Sequence, residues 1–424
     1  MIRRLFIFAT CASLPVVAAP SKFDAAIATN QLGIDLFRLL AKATPEGNLV
    51  ISPYSIDSAL ALAYSGADGA TRTEMAKALN FPGDDASLQA SFGALRTSLD
   101  DIARDSAAQS AKDREFGGGE SIEWHQANRL FGQPGYAFNP SFLDLMRDGY
   151  SAPFEQLNFR SDAEAARATI NSWVEAQTHQ KIRDLIPRSG VRGTTRLVLV
   201  NALYLKAPWN DSFKKSDTHS RPFHFSDTKT GDAPAMQRTD YLVYANEPGF
   251  TVVVLDYAGG GLQFLVLLPD RGTDCDTLAA KLTPENFRTW AAMGKDARPT
   301  RIELYLPKFR VTGPTLSLGV ALRVIGITRA FDEPPGSADF GRIASRRPDD
   351  YLALSEVFHK TFIAVDEEGT EAAAATAMAM YTMGVMRDPP PPPVVVRVDR
   401  PFLFAIQHRA SGACLFFGRI ADPR

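Results

Sequence analysis

The residues of this chain that are able to do covalent or metal chemistry are sparsely placed. Six histidines, His125, His179, His219, His224, His359 and His408, include no pair at the helical spacing that sets two imidazoles on one face for a metal ion. Removal of an N-terminal leader leaves two cysteines, Cys275 and Cys414, too few for a structural zinc site. Export permits a bond between them and unlinked, partly buried thiols are the alternative; spacing alone does not choose. A Gly-x-Ser-x-Gly elbow, a Gly-x-Gly-x-x-Gly turn after a strand and a Cys/His nucleophile signature are all missing. Glu367 and Glu368 are adjacent and so point apart rather than at one substrate. No catalytic residue, metal site or cofactor is expected. A triad is a geometry that chain order hides, so these gaps remove the positive argument for an enzyme without excluding one.

One stretch asks for a different kind of chemistry. From Asp366 to Met383 the chain reads DEEGTEAAAATAMAMYTM, a run of small residues that follows the apolar Phe362, Ile363 and Val365. With period two, Thr370, Ala372, Ala374, Thr376, Met378 and Met380 share one side, and Glu371, Ala373, Ala375, Ala377, Ala379 and Tyr381 share the other. The first set is expected to be buried and the second exposed, as in a strand that lacks its sheet. Beyond Met383 come Gly384 and the five prolines Pro389 to Pro393, expected to form a stiff polyproline spacer.

The elements that must position this stretch belong to an ordinary globular chain of 424 residues, 45% hydrophobic and 22% charged, with a formal net charge of −2. No basic stripe interleaves with aromatics, so nucleic acid is not an expected partner. Met1 to Ala19 reads as a secretory signal: Arg3 and Arg4, then an apolar run broken by Pro15 and too short to span a bilayer, then Val17-Ala18-Ala19. The expected location is secreted or periplasmic, with no membrane association after the signal is removed. Asn210-Asp-Ser212 is a glycosylation sequon that matters only in a eukaryotic secretory route.

Helices dominate the first half. Ile27, Leu32, Leu36, Leu39 and Leu40 recur at helical spacing, and Ser52-Pro53 caps a second helix, Ile56 to Ser65. Thr71-x-x-Glu74 reads as a capping box for a third, and Leu88, Phe92, Leu95 and Leu99 mark a fourth. Gly117 to Gly119 lacks the strand and the Gly-Lys-Ser/Thr of a phosphate loop. Ala165 to Gln180 is a further helix. Leu197 to Leu205 is an apolar run expected to be a strand buried on both faces. Strands prevail from Phe223 onward: a hairpin flanks Ala258-Gly-Gly-Gly261, and Ile302, Leu304 and Leu306 alternate. Leu278, Leu282, Phe287 and Trp290 mark one helix among them. No linker divides the chain, so residues 20–424 are expected to be one α+β domain.

Seven segments, in order, resemble the serpins, the strand-inserting serine protease inhibitors. They are Asn48-Leu-Val-Ile-Ser-Pro-Tyr-Ser-Ile56, Gly66-Ala-Asp-Gly-Ala-Thr71, Asn201-Ala-Leu-Tyr-Leu-Lys-Ala-Pro-Trp209, Leu304-Tyr-Leu-Pro-Lys-Phe309, His359-Lys-Thr-Phe362, Asp366-Glu-Glu-Gly-Thr-Glu-Ala-Ala373 and Arg400-Pro-Phe-Leu-Phe404. The resemblance implies three β-sheets, eight or nine helices and an exposed reactive loop, about residues 367–393. It implies a monomer whose partner is a target serine protease, held as a covalent acyl-enzyme, and no cofactor. The hinge corresponds to Glu367, Glu368, Gly369, Thr370, Glu371, Ala372, Ala373, Ala374 and Ala375. Ser52, Ser55, Asn201 and His359 match a polar cluster beneath the main sheet, where the strands part, and Trp209 matches the tryptophan where the loop first enters. The family's spacing from Glu367 makes Met383-Gly384 the bait bond, suited to elastase-, chymotrypsin- or subtilisin-like proteases. The segment from Met383 to Pro401 is longer than the family's, so Tyr381, Met386 and Arg387 stay open as bait residues, Arg387 for a trypsin-like protease. A non-inhibitory carrier or chaperone of the same fold is the competing reading; small, neutral hinge positions argue against it.

Overall fold

A computed structural model describes residues 23–113, 120–150, 152, 154–296, 298–371 and 391–424. The expected leader, Met1 to Ala19, therefore lies outside the described residues. Among those that are described the chain forms nine α-helices and sixteen strands. The first half runs α1 Ala25–Ala43, β1 Leu49–Ile51, α2 Pro53–Gly66, α3 Gly69–Leu79, α4 Asp85–Asp113, β2 Glu123–Gly132, α5 Pro140–Asp144, β3 Glu155–Gln156 and α6 Ala163–Gln177. The second runs β4 Leu197–Pro208, β5 His219–His224, β6 Thr230–Glu247, β7 Phe250–Asp256, β8 Leu262–Pro269, α7 Cys275–Lys281, α8 Pro284–Asp296, β9 Thr300–Pro307, β10 Phe309–Thr312, β11 Leu316–Ser317 and α9 Gly319–Val324. It closes with β12 Leu354–Val365, β13 Gly369–Thr370, β14 Val394–Arg397, β15 Phe402–His408 and β16 Cys414–Ile420.

Three sheets result, two of them sharing a strand. The main sheet has the order β10-β12-β13-β4-β2-β3, with β11 on β12. A second runs β1-β16-β15-β8-β7-β6, and the far end of β6 continues into a third with β5, β9 and β14. Eighteen residues let β6 serve both: Val243–Glu247 pair with β7, while residues 235–242 pair with β9. Three sheets and nine helices among the described residues agree with the architecture expected from the sequence.

Local rules explain most boundaries. Ser52 caps α2 by accepting from Ser55 N–H, and Pro53 opens the helix, as its sequence predicts. The expected capping box at Thr71 is not formed. α3 begins two residues earlier, at Gly69, on an Asp68 cap, and Glu74 instead accepts from the N–H groups of Thr328 and Arg329 at 2.6 and 2.7 Å. A tertiary partner has taken the carboxylate that a local box would use. The single helix expected around Leu278–Trp290 is two, because Leu282 turns extended and Pro284 opens α8 afresh. Cys275 and Cys414 are both buried and unlinked.

The central β4 is buried along nearly its whole length. One face meets α2; on the other, Val198 and Val200 form a cluster with Ile170 and Val174 of α6 and with Phe358 and Phe362 of β12. Full burial of such side chains is worth about 1.5–3 kcal/mol each, which fixes α6 and the linker behind it onto the main sheet.

One core group works against the fold at neutral pH. Asp57 on α2 is fully buried; Oδ2 accepts from Thr29 at 2.8 Å and Oδ1 has no partner. Burial pushes its carboxyl up to about 8. The folded chain keeps this proton and the unfolded chain releases it near pH 4, so the contribution is full below that value and is lost as pH rises toward 8. In Asp57→Asn the urea midpoint should fall less between pH 5 and 8 than in the unmutated protein, with a gain of about 1 kcal/mol or more at pH 8. Parallel midpoint curves would refute the assignment.

Candidate functional site

β4 and β12 run parallel, bonded through seven residue pairs from Leu197–Leu354 to Leu203–Thr361. Above that level they diverge, and the short β13 sits between them, antiparallel to both. Thr370 lies opposite Ala207 on one side and Val365 on the other. The turn that delivers it closes with Asp366 N–H donating to Gly369 O at 3.0 Å, and Glu371 N–H donates to Ala364 O at 2.9 Å.

Three successive carbonyls of the turn are spoken for. Asp366 O accepts from the Trp209 indole at 2.9 Å, Glu367 O from Phe213 N–H at 2.9 Å and Glu368 O from Trp209 N–H at 2.9 Å. The indole stacks on Tyr257 at 4.7 Å and 7° between planes. The Tyr257 hydroxyl lies 2.5 Å from Thr370 Oγ1, fully buried. Burial raises that phenol's pKa, so it keeps its proton and stays able to donate. Gly369 has φ +153°, and a Cβ there would lie 2.2 Å from Ala207 O. Only glycine fits between the two strands at this level.

Charges pin the same turn from outside. Glu367 is 4% exposed; its carboxylate accepts from Lys308 at 2.7 Å and from Thr218 at 2.8 Å. Burial alone would raise this carboxyl, but those two hydrogen bonds outweigh it and hold it below the ordinary range. Glu368 pairs with Lys215 at 3.1 Å, and Glu371 with Lys181. The period-two pattern expected Glu371 to be exposed. Instead its φ is +50° and its side chain is 13% exposed beneath Lys181, because the chain turns out of the sheet one residue after Thr370.

Under the seam lies a polar group, buried except for the half-buried Asn128 at its edge. His359 accepts the Ser52 N–H on Nε2 at 3.1 Å and donates from Nδ1 to Asn201 Oδ1 at 2.5 Å. Asn201 donates to Ser55 Oγ at 2.6 Å and to Asn128 Oδ1 at 2.7 Å, and Ser52 donates to Leu415 O at 2.6 Å. Ser52, Ser55, Asn201 and His359 are each 0% exposed. Burial drives the imidazole down to about 3. A neutral ring with both nitrogens engaged is no general base, and the buried thiols, Cys275 pushed up to about 12, are no nucleophiles.

Of the residues singled out in the sequence, Glu367 to Glu371 and Trp209 come together at the top of the seam, and Ser52, Ser55, Asn201 and His359 at its middle. Ala372 to Ala375, Tyr381, Met383, Gly384, Met386 and Arg387 lie outside the described residues. No sequence signal marked Asn128, Tyr257 or Lys181, and Lys308 stood out only as part of the Leu304–Phe309 segment. Each is ordinary in its own segment and meets the site only through folding.

The chain matches the family model "Serpin (serine protease inhibitor)" over residues 27–423. It is 36% identical to Serpin B6 of Macaca fascicularis, with 93% of this chain and 98% of that protein covered. It is 34% identical to the leukocyte elastase inhibitor of Bos taurus over the same shares. The crystal structure of uncleaved ovalbumin superposes with a TM-score of 0.78 at 28% identity, covering 95% of this chain and all of that one.

Two outcomes test the site. Gly369→Ala should cost about 2 kcal/mol or more of unfolding free energy, read from the urea midpoint, because either strand must shift to admit the methyl. The His359 contribution is full above the unfolded value near pH 6.5 and is lost as pH falls toward 3. His359→Asn should therefore show a shallower loss of stability between pH 6.5 and 5 than the parent; an unchanged slope would refute it.

Proposed function

The chain belongs to the serpin family, and from that premise we propose that it is a suicide inhibitor of serine proteases. The observation that supports this most is the seated turn. The hinge is already threaded between β4 and β12 as far as Thr370, and the strands are bonded only below it. A protease serine attacking the carbonyl of Met383 would release the amine of Gly384 and leave an acyl-enzyme. The freed strand would then continue down the seam. In the register of Thr370, Ala372 would come opposite Leu205 and Ile363, and Thr376 opposite Asn201 and His359. A threonine hydroxyl would thus arrive at a level where the core offers polar partners. The intervening inward positions are alanines, which enter without strain or desolvation.

A strand of this length adds on the order of ten ladder hydrogen bonds at about 1 kcal/mol net each. That is comparable to the stability of a whole domain, about 5–15 kcal/mol, and is enough to deform a tethered enzyme. Deacylation fails when the oxyanion donors are displaced from the second transition state. An unbranched Met383 favours elastase-, chymotrypsin- or subtilisin-like targets, and Arg387 a trypsin-like one. The leader at Met1 to Ala19 makes it an inhibitor that acts after export.

Incubation with a panel of those four protease types should give an SDS-stable complex with at least one, and the mass of the released fragment identifies the bait bond. Plain cleavage with no complex would instead support a carrier or chaperone. Thr370→Arg should turn inhibitor into substrate, since a cation facing Tyr257 would be buried unpaired at a cost of several kcal/mol. An undiminished yield of complex would sink the insertion mechanism.

A further inference from the structure

Glu123, His125 and His179 come together beside the hinge. Glu123 and His125 alternate on one face of β2, and His179 lies just beyond α6, 54 residues further along the chain. One ligand atom from each lies within 4.8 Å of the other two. The imidazole rings stand 4.6 Å apart and nearly edge to face, over the ring of Tyr204 at 5.9 and 5.2 Å. No hydrogen bond from another described residue reaches either imidazole, so both have nitrogen lone pairs to offer. His179 and Gln180 both hold positive φ, +47° and +63°, the kind of backbone that non-glycine residues adopt rarely and at a cost. That double turn sets the second imidazole over β2. Lys206 occupies only Glu123 Oε1, at 3.3 Å, and has Glu120 as a second partner at 3.3 Å, so Glu123 keeps an oxygen for a metal.

We propose that Glu123, His125 and His179 bind a zinc-class dication, which fastens the linker after α6 across the β4–β12 seam. Two imidazoles and one carboxylate with the remaining positions left to water are a donor set that suits Zn2+. Bonds of about 2.0–2.1 Å draw the ligands to about 3.4 Å from one another, a closure that rotation of the exposed His179 can supply.

The location gives the site its consequence. From His179 the linker passes over β4 at Tyr204 and reaches β12. There Lys181 lies 5.6 Å above the Phe362 ring, and Arg183 O accepts from Lys360 at 2.8 Å. Lys181 also holds Glu371 of the hinge. At the β2 end His179 packs its ring on His125 and on Tyr204 of β4, and an ion would add coordinate bonds to that packing. On the preceding reading the seam is where the loop enters, so a bound ion would hold back insertion.

Calorimetric titration of the full chain with zinc alone should show one site. His125→Ala and His179→Ala should each weaken it by at least about a hundredfold, beyond the 10–100-fold that loss of an outer-shell partner costs. Amide exchange of Leu199–Leu203 and Val357–Thr361 should slow in the parent by about a hundredfold at zinc a hundred times the dissociation constant, wherever opening requires release of the ion. It should be unchanged by zinc in His179→Ala. No binding heat, or heat that persists in both variants, overturns the site; binding that leaves those amides unslowed overturns the strap. Neither readout involves a protease, so a chain that traps none counts against the preceding reading alone.

Discussion

The structure depends on a parallel seam that stops short. β4 and β12 share seven residue pairs and then part, and buried backbone groups that part must find other partners. The turn Asp366–Thr370 supplies them, bonding to both strands at once. Much of the surrounding architecture follows from keeping that wedge seated. Trp209 and Tyr257 fill the space behind it, Phe213 and Lys308 hold its outer rim, and Gly369 gives the room where backbone meets backbone. The wedge is polar at its edges and neutral at its tip, so Thr370 alone goes inward.

Beneath the wedge, the seam is lined by groups that exchange hydrogen bonds without carrying charge. Ser52, Ser55, Asn128, Asn201 and His359 satisfy one another, and the imidazole stays neutral because a buried cation there would face only dipoles. A charged pair in the same place would lock the strands together. Hydroxyls, amides and a neutral ring let the partners change while each remains paired. The opposite face is covered differently, by α6 and its linker, whose grip on β12 is largely side-chain packing.

Much of this was legible in the chain, and each misreading has a physical cause. The apolar run Leu197–Leu205, the Ser52-Pro53 cap and the glycine hairpin after Tyr257 are local signals, and each produced the expected element. The smallness of Gly369 and Thr370 marked the hinge for the same reason. Glu74 and Glu371 were misread because a partner distant in sequence claimed each carboxylate: Thr328 and Arg329 for one, Lys181 for the other. α7 and α8 read as one helix because their buried positions stay in phase across Leu282. Glu123 and His125 share a face because two-residue spacing on a strand does what four-residue spacing does on a helix, and His179, 54 residues further along the chain, meets them only through folding.

The shortness of β13 has a further meaning. Any strand continuing from Thr370 would replace each parallel pairing between β4 and β12 with two antiparallel ones, and antiparallel pairing is the stronger kind per residue. On the proposed mechanism the closed sheet is a metastable arrangement, kept by the cost of parting seven pairs that are already made. Thermodynamic stability and persistence come apart in such a molecule. A substitution that weakens the seam would lower the barrier while leaving the deeper minimum untouched, so variants that look only slightly destabilised in equilibrium unfolding would be the ones that lose the stored state with time.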